Sequence, residues 1–499
     1  MPDLDPAFLE LPYRHLADAA LSRAKELGAA YADFRLERHR SQTVKVRDRN
    51  LERLVDSEDV GFAVRVVHQG AWGFASSVDL RPDTAADAAA DAVRVARVLA
   101  PLNSEPVELA PEPAHQGTWL SSYAVDPFMV PDADKVALLV AVNDRVLGSG
   151  KVDHVDFDAS QVLEGKYFAN LDGAELTQQR VRVGGNFEAV RIDKDQGAFE
   201  TMRSGAVPVG RGWEHFTDGY DYWADAGQVP TLLEEKLAAP SVRPGRYDLV
   251  IHPTNLWLTI HESIGHATEL DRVLGYEANY AGTSFATLEH LGSLQYGSPL
   301  MHVTGDRVVE HGLSTVAWDD EGVAAQQWDL IRDGVLVGYQ LNRQMAARQG
   351  FGRSNGCAYA DSAHHVPLQR MPNVSLQPSA DDVGLDDLLG GVERGIYVVG
   401  DKSWSIDMQR YNFQFTAQQF YEIRGGRLAG QLKDVAYQGV TTEFWNAMEA
   451  VGGPSTWVLA GAFNCGKGQP GQIAPVSHGA PAALFRQVNV LNTGEEGAR

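Results

Sequence analysis

The stretch NLWLTIHESIGHATELD, residues 255–271, holds two histidines with a glutamate directly after the first. It is one residue longer than the zinc-peptidase signature H-E-x-x-H, because His261 and His266 are five positions apart rather than four. On a regular α-helix, residues four apart point about 40° from each other, whereas residues five apart point about 140° from each other. Two imidazoles on a regular helix could therefore not easily bind one ion at this spacing.

A helix that takes in one extra residue as a π-bulge would bring both imidazoles to one side, and such bulges are frequent at functional sites. Gly265, directly before the second histidine, favours this distortion because glycine has no Cβ. Zinc catalysis needs neutral imidazole ligands, an open position for water and a carboxylate that takes the proton of the water. His261 and His266 supply the ligands and Glu262 the carboxylate. The alternative is a chance pattern on a partly buried helix.

A third ligand must come from elsewhere in the chain, and the residues leave its identity open. Cys465 ends a short apolar run in WVLAGAFNCGKGQPGQ, a setting typical of a small buried residue unless the fold brings the cysteine to the metal. The same loop nearly matches a phosphate-binding G-x-x-x-x-G-K-[ST] motif, but Gly468 replaces the hydroxyl residue, which excludes that interpretation. The candidates are Glu269, Asp271, Glu289, His290, His364, His365, Cys357 and Cys465.

Composition excludes several function classes. Among 499 residues, 44% are hydrophobic and 22% are charged, as in an ordinary soluble globular protein of roughly two to four domains. A net charge of −23 makes nucleic-acid binding improbable, because the surface repels phosphate. No segment approaches the roughly 18 apolar residues of a membrane span. Two cysteines and the lack of a signal-like start favour the cytoplasm.

The order of helical and alternating patterns predicts a strand-rich α+β fold of several units. A helix near 13–28 precedes alternating stretches that are typical of strands. Two proline-rich segments, PLNSEPVELAPEPAHQG and AAPSVRPG, mark linkers. The predicted units are an N-terminal α/β domain at 1–110, a central α+β domain at 111–240 and a glycine-rich, β-rich C-terminal domain at 241–499 that carries the metal helix.

HESIGHATELD and NCGKGQP together resemble the TldD/PmbA family, also called modulator of DNA gyrase proteins, and within it the metal-bearing TldD type. The resemblance covers almost the whole chain. SEDVGFAVRVVHQGAWGFASS is similar to the N-terminal strand pair of the family, DDEGVAAQQWDLIRDGVLVGYQLNR to its D-E-G-x-x-x-Q segment with the hairpin that follows, and LQRMPNVSLQPS to its R-M-x-N segment. The helix motif and the C-G-K loop are the specific part.

The resemblance implies a zinc metallopeptidase that uses water activated by Zn²⁺. Carried over, the zinc ligands are His261, His266 and Cys465, and Glu262 is the general base. The substrates implied are small unfolded or extended polypeptides. The resemblance also implies an active site enclosed in a dimer, formed with a PmbA-type (TldE) relative that lacks the metal motif or with a second copy of the chain.

Two points of the resemblance stay open. The segment GDKSWSIDMQRYNF, residues 400–413, departs from a glycine-rich stretch of the family, which leaves the shape of the nearby substrate channel undetermined. Cys357 matches no family ligand and is interpreted as structural. The alternative function is a non-catalytic peptide-binding or regulatory subunit with a structural metal, and four protein ligands rather than three would favour it.

Overall fold

A computed structural model describes residues 3–195 and 197–496 and shows the strand-rich α+β fold that the sequence predicts. The N-terminal elements include the amphipathic helix expected near residue 13, whose alanines and leucine at helical spacing face the core. They are α1 (Pro6–Leu9), α2 (Tyr13–Glu26), β1 (Tyr31–Arg47), β2 (Asn50–His68), β3 (Ala71–Ser77), α3 (Pro82–Leu99), β4 (Gln116–Leu120), α4 (Asp132–Gly148), β5 (His154–Asn170), β6 (Glu175–Asp193), β7 (Ala198–Arg203) and α5 (Tyr222–Ala238).

β1 to β7 form one sheet in the order β3-β2-β1-β5-β6-β4, with β7 on β6. Side chains alternate between the two faces of a strand, so the alternating sequence makes a sheet with two different faces. Even-numbered apolar residues of β1, such as Phe34 and Leu36, pack under α2 and α3. The odd-numbered neighbours Asp33, Arg35 and Glu37 lie on the opposite face, which we call the charged face, and they are buried as well.

The C-terminal half begins with a strand and the helix that carries the histidine motif. Its elements are β8 (Gly245–Ile251), α6 (Pro253–Ile260), α7 (Leu270–Val273), β9 (Val303–Asp306), β10 (Gln327–Arg332), β11 (Val335–Leu336), α8 (Arg343–Arg348), β12 (Ala358–Tyr359), β13 (Leu368–Gln369), β14 (Asn373–Leu376), α9 (Leu385–Gly390), β15 (Arg394–Ile406), β16 (Asn412–Arg424), β17 (Arg427–Leu432), β18 (Val435–Val440), α10 (Thr441–Asn446), β19 (Met448–Val451), β20 (Val458–Lys467), β21 (Gln472–Ala480), β22 (Ala483–Asn492) and α11 (Thr493–Glu496).

A second sheet has seven strands in the order β15-β8-β22-β18-β16-β17, with β19 on β22. An additional pairing of β15 with β16 closes five of these strands into a ring. β20 and β21 form a separate hairpin, which packs with β14 against α6. The apolar core of this half surrounds α6, whose residues from Asn255 to Ile260 are all buried. The motif helix is therefore a central element of the C-terminal half.

The charged face of the first sheet packs against the C-terminal half through ion pairs. Arg65 binds Asp33 and Glu321, and Lys166 binds Asp320. The first sheet combines strands from both sides of residue 110, because β1 pairs with β5 over most of its length.

The unit boundaries at 110 and 240 stay predictions. None of the helices in residues 3–195 and 197–496 combines the length and apolar character that a membrane span needs.

Candidate metal centre

The histidine motif lies where α6 widens into a single π-helical turn. His252 caps the start of α6 by accepting the N–H of Thr254, and Pro253 occupies the first turn, where proline is tolerated. The α-helix ends at Ile260, and residues His261–Gly265 form the π turn, in which the N–H of His266 donates to the carbonyl of His261. The extra residue is therefore absorbed by the helix, and the predicted bulge is confirmed.

Polar side chains donate hydrogen bonds to the backbone carbonyl oxygens in and next to the π turn. A π turn disturbs the regular pattern of helix hydrogen bonds, and buried carbonyls without donors are costly. Two donors come from the helical segment itself and two from other parts of the C-terminal half. The pairs are Ser263 to the Thr259 carbonyl, Thr268 to Ile264, Tyr296 to Ser263 and Gln340 to Gly265.

Gly265 has a different role from the one that the sequence suggested. Its backbone has φ −53° and ψ −59°, which is helical geometry that any residue adopts, so the bulge itself does not require glycine. A Cβ at this position would lie 2.5 Å from Sδ and 2.8 Å from Cε of the buried Met371. Glycine is therefore needed for the close approach of Met371 to the helix.

Three side chains converge at the π turn. A ligand atom of His261, one of His266 and Sγ of Cys465 all lie within 4.8 Å of one another, and the three residues are buried. The imidazole rings are 4.6 Å apart and nearly perpendicular, and Cys465 Sγ lies 3.8 Å from His266 Nε2. Cys465 comes from β20, just after a register irregularity between Ala462 and Cys465. The fold thus brings the cysteine to the histidines from 199 residues downstream.

A third histidine orients His261. His478 Nδ1 lies 2.9 Å from the carbonyl of Val374, which can only accept, so this nitrogen carries the proton. His478 Nε2 is then an acceptor, and His261 Nδ1 donates to it at 2.7 Å. Nε2 of His261 is left with a free lone pair, as a metal ligand requires. Burial and the neighbouring His261 keep the pKa of His478 well below its usual value, so the ring stays neutral.

A carboxylate orients His266 in the same way. His266 Nδ1 lies 2.8 Å from Glu269 Oε2, so Nε2 faces Cys465. Burial would raise the pKa of Glu269, but Lys467, His266 and Arg272 outweigh burial and hold the pKa well below its usual range. Lys467 also binds Asp271 at 2.8 Å. Two of the candidate third ligands, Glu269 and Asp271, are thus partners of the centre rather than members of the ligand group: Glu269 binds His266, and both carboxylates bind Lys467.

The two cysteines are in contrasting surroundings. Burial would raise the pKa of the Cys465 thiol, but His266 and Arg370 outweigh burial and lower the pKa. Cys357 is also fully buried, yet it lies beside Asn355, and burial raises its pKa to about 12. A thiolate is the metal-binding form of cysteine. Cys465 therefore has the chemistry of a ligand, and Cys357 that of an inert core residue.

Glu262 faces an arginine that the sequence analysis did not single out. Its Oε2 lies 3.1 Å from Nη1 of Arg410, and Nη2 of Arg410 donates to the carbonyl of Ala281. Both side chains are largely buried. Arg410 belongs to the segment 400–413 that departs from the family pattern, and it adopts φ +62° in a turn whose backbone N–H groups are bound by Asp407.

The other candidate ligands lie outside the three-residue group. Glu289 is exposed, and His290 is bound to Thr287. His365 pairs with Asp361, and His364 lies beside Ser76 of the N-terminal sheet. None of these four residues belongs to the group of three converging ligand atoms among the described residues.

The donor set fits zinc. Two imidazole nitrogens and one thiolate are ligands that Zn²⁺ prefers, and three protein ligands leave one position of a tetrahedron open. Neighbouring N and S ligands of tetrahedral zinc are roughly 3.6 Å apart at ordinary bond lengths. The observed 3.8 Å between His266 Nε2 and Cys465 Sγ is close to that spacing.

Comparison with known proteins identifies the family of the chain. Residues 244–492 match the PmbA/TldA metallopeptidase C-terminal domain, and residues 32–96 match PmbA/TldA metallopeptidase domain 1. A metalloprotease of Synechocystis sp. is 30% identical over 471 residues, which cover 93% of this chain and 95% of the relative. A zinc metalloprotease TldD homolog of Saccharolobus solfataricus is 23% identical, and the match covers 94% of this chain and 98% of that relative.

Solved structures share the fold at lower identity. A Thermotoga maritima protein described as a modulator of a DNA gyrase aligns with a TM-score of 0.76 at 16% identity, covering 96% of this chain and 100% of that one. TldE from Thermococcus kodakarensis aligns with a TM-score of 0.71 at 16% identity, covering 95% and 99%. From the domain matches and the full-length relatives, we conclude that this chain belongs to the PmbA/TldD metallopeptidase family.

Proposed function

We propose that the protein is a zinc-dependent peptidase whose ligands are His261, His266 and Cys465 and whose general base is Glu262. The convergence of the three ligand atoms within 4.8 Å carries the proposal, because these residues come from two elements far apart in the sequence. Glu262 directly follows the first ligand, as a catalytic base does in peptidases with a histidine-pair helix. The metalloprotease names of the relatives support the same reading.

The protein residues prepare the centre for one ion. His478 and Glu269 fix the tautomers of His261 and His266, so that both ligands present Nε2. Zn²⁺ bound there supplies Lewis acidity toward a peptide carbonyl and toward water. Glu262 accepts a proton at its carboxylate and can return it to the leaving amine. Arg410 holds the Glu262 carboxylate through Oε2, which leaves Oε1 as the oxygen for proton transfer.

A structural metal is the competing function. Structural zinc usually has four protein ligands. Within residues 3–195 and 197–496, the ligand group contains three His, Cys, Asp or Glu side chains and no fourth. A free position together with an adjacent carboxylate favours catalysis over a purely structural role.

We further propose that the substrates are small unfolded or extended polypeptides and that the enzyme works in the cytoplasm as a dimer. A strand-rich fold offers edges to which an extended peptide can add by backbone hydrogen bonds. The structural likeness to TldE supports a partner of the TldE type, with a second copy of this chain as the alternative. Enclosing the centre in a dimer would keep folded proteins out.

The central test is a peptide-library digestion with and without a chelator, combined with metal analysis. Glu262→Gln should keep about one zinc per chain and lose about 10²–10⁴ in hydrolysis rate, because the ligands stay and the base is removed. Glu289→Gln, an exposed glutamate outside the centre, is the matched control and should change neither quantity. Near-normal turnover of the Glu262 variant would move the base to another residue.

The assembly is tested by light scattering of the chain purified alone and co-expressed with a TldE-type relative from the same genome. We expect a dimer that cleaves short peptides and spares folded proteins. A monomer that cleaves large native proteins as readily as short peptides would contradict both the enclosed site and the partner.

A further inference from the structure

A short segment after the metal helix reaches the proposed general base. It comprises residues 276–283, and we call it the rim segment. The carbonyl of Ala281 accepts from Nη2 of Arg410 at 3.1 Å, and Nη1 of the same guanidinium lies 3.1 Å from Oε2 of Glu262. Two hydrogen bonds and one guanidinium span roughly 9 Å at most, so the rim segment passes within that distance of the Glu262 carboxylate.

Two apolar side chains at the rim segment are largely exposed. Tyr280 belongs to the segment and is 52% exposed, and Met408 belongs to the turn that carries Arg410 and is 56% exposed. A Cβ at Gly282 would lie 2.0 Å from the carbonyl oxygen of Met408 and 2.8 Å from its Cα. The Cα atoms of Tyr280 and Met408 are therefore at most roughly 12 Å apart, because consecutive Cα atoms are about 3.8 Å apart. At that distance, both side chains can contact the same side chain of a bound peptide.

The ring of Tyr280 also lies against the loop that carries the cysteine. A Cβ at Gly468, three residues after Cys465, would lie 2.7 Å from Cδ1 of Tyr280. The ring therefore packs on the backbone of the loop that supplies the proposed thiolate ligand. Because half of the tyrosine is exposed, the rest of its ring is free to contact a peptide. The rim segment thus extends from the base side of the metal centre to its cysteine side.

The metal centre itself keeps a small contact with solvent. His261, Glu262, His266 and Cys465 are each 6–7% exposed, so the centre is not sealed. The residues that orient these four side chains are buried more deeply, which closes the sides of the centre that they form. They are His478, Glu269, Arg272 and Lys467, each at most 1% exposed. A peptide therefore approaches the centre from the side of the rim segment.

We propose that Tyr280 and Met408 bind a bulky apolar side chain of the peptide substrate near the bond that is cut. The inference rests on the proposed peptidase function and adds a specificity to it. Contact with a tyrosine ring and a thioether removes apolar surface of the peptide from water, and the flexible methionine adapts to side chains of different shape. Unfolded polypeptides expose their large apolar side chains, whereas folded proteins bury most of them. The contact therefore favours unfolded substrates without requiring one sequence.

The test measures binding of three matched peptides by calorimetry to the zinc-loaded, full-length Glu262→Gln variant, which is expected to leave them uncut. The first is pentaalanine with an acetylated N-terminus and an amidated C-terminus. The second carries phenylalanine at its centre, and the third carries glutamine there as a control for bulk. We expect the phenylalanine peptide to bind about tenfold more tightly than the other two, at the lower end of what added apolar groups contribute in binding pockets.

Tyr280→Ala and Met408→Ala, each added to this variant, should reduce the preference for phenylalanine, and both together should abolish it. Tyr280→Phe and Met408→Leu keep the apolar volume and should retain the preference. Leu428→Ala is the matched control, because Leu428 is 45% exposed on β17 and should not affect peptide binding. Equal binding of all three peptides, or a preference that survives in the double variant, would overturn the proposal.

Hydrolysis by the chain with Glu262 intact separates this inference from the proposed function. Tyr280→Ala should lower the ratio of kcat/KM between the phenylalanine and alanine peptides while the zinc content stays the same. A loss of zinc from this variant would make Tyr280 a structural part of the centre and overturn the proposal. If neither peptide is cut, the peptidase function fails, and the binding preference still decides the inference. If both are cut and bound equally well, the peptidase function stands and the inference fails.

Discussion

Nδ1 of His261 lies 2.7 Å from Nε2 of His478, a residue 217 positions downstream. This contact joins the first proposed ligand to the carbonyl of Val374 and determines which nitrogen of His261 is free for a metal. Loss of a side chain that orients a metal ligand typically lowers the metal affinity of a site by about 10–100-fold. The contact therefore makes His478 part of the proposed centre.

His478→Phe should weaken zinc binding by about 10–100-fold while keeping all three ligands. The variant removes the acceptor of His261 Nδ1, so the imidazole loses its fixed tautomer and orientation. Zinc affinity is measured by competition with a chromogenic chelator. His302→Phe is the control, because His302 is half-exposed and pairs with Asp329 away from the centre. Equal affinities in the two variants would show that His478 has no role in metal binding.

The two cysteines should respond differently to the same change. Cys465→Ala should lose most of the zinc, because it removes one of three proposed ligands. Cys357→Ala should keep it, because Cys357 is a protonated core residue bound to Asn355. Zinc content is measured by elemental analysis after dialysis. If Cys465→Ala retains full occupancy, the ligand set is wrong.

Gly265→Ala should destabilise the protein by about 1–3 kcal/mol, because the new Cβ overlaps the thioether of Met371. In a Met371→Ala background the same change should cost nothing or stabilise by up to about 1 kcal/mol, since alanine has the higher helix propensity. Denaturant unfolding of the four proteins measures this coupling. An equal cost in both backgrounds would mean that Met371 is not the obstacle.

The helix cap predicts a pH dependence. Burial lowers the pKa of His252 to about 4, and its Nδ1 accepts an N–H at the start of α6, which requires the neutral ring. The folded protein thus binds fewer protons than the unfolded chain between about pH 4 and pH 6.5, and stability is lost as pH falls through that window. His252→Asn keeps a cap and removes the titration.

For the metal-free chain, His252 should contribute roughly 2 kcal/mol more loss between pH 7.5 and pH 5 than asparagine does. The measurement is the free energy of urea unfolding at the two pH values. A variant whose stability falls as steeply as that of the wild type would assign the pH dependence to other groups.

The sequence indicated the three converging side chains better than it indicated their surroundings. The five-residue spacing of the two histidines is itself local information, and it led directly to the π turn. His478 and Arg410 carry no such signal, because each reaches the centre only through the tertiary fold. Lys467 gave a misleading signal, since its glycine-rich loop imitates a phosphate site whereas its ammonium is buried between Glu269 and Asp271.

The pattern of the strands had a similar limit. Alternation correctly indicated two-faced strands in the N-terminal half, but it cannot tell whether a charged face meets water or another domain. Here Arg35 and Glu37 are both buried, and Arg35 donates to the carbonyls of Ser362 and His365 in the C-terminal half. The alternating pattern could not predict that β1 pairs with β5 either, because the two strands are more than a hundred residues apart in the sequence.

The distance between His266 and Cys465 along the chain has a consequence for biosynthesis. The cysteine lies 199 residues after the histidine, on a hairpin close to the end of the chain. A ribosome must therefore add 199 residues after His266 before the third side chain can meet the other two. Until that point the growing chain holds the two histidines without the cysteine, so the proposed ligand group is assembled only after the hairpin that carries Cys465 has been made.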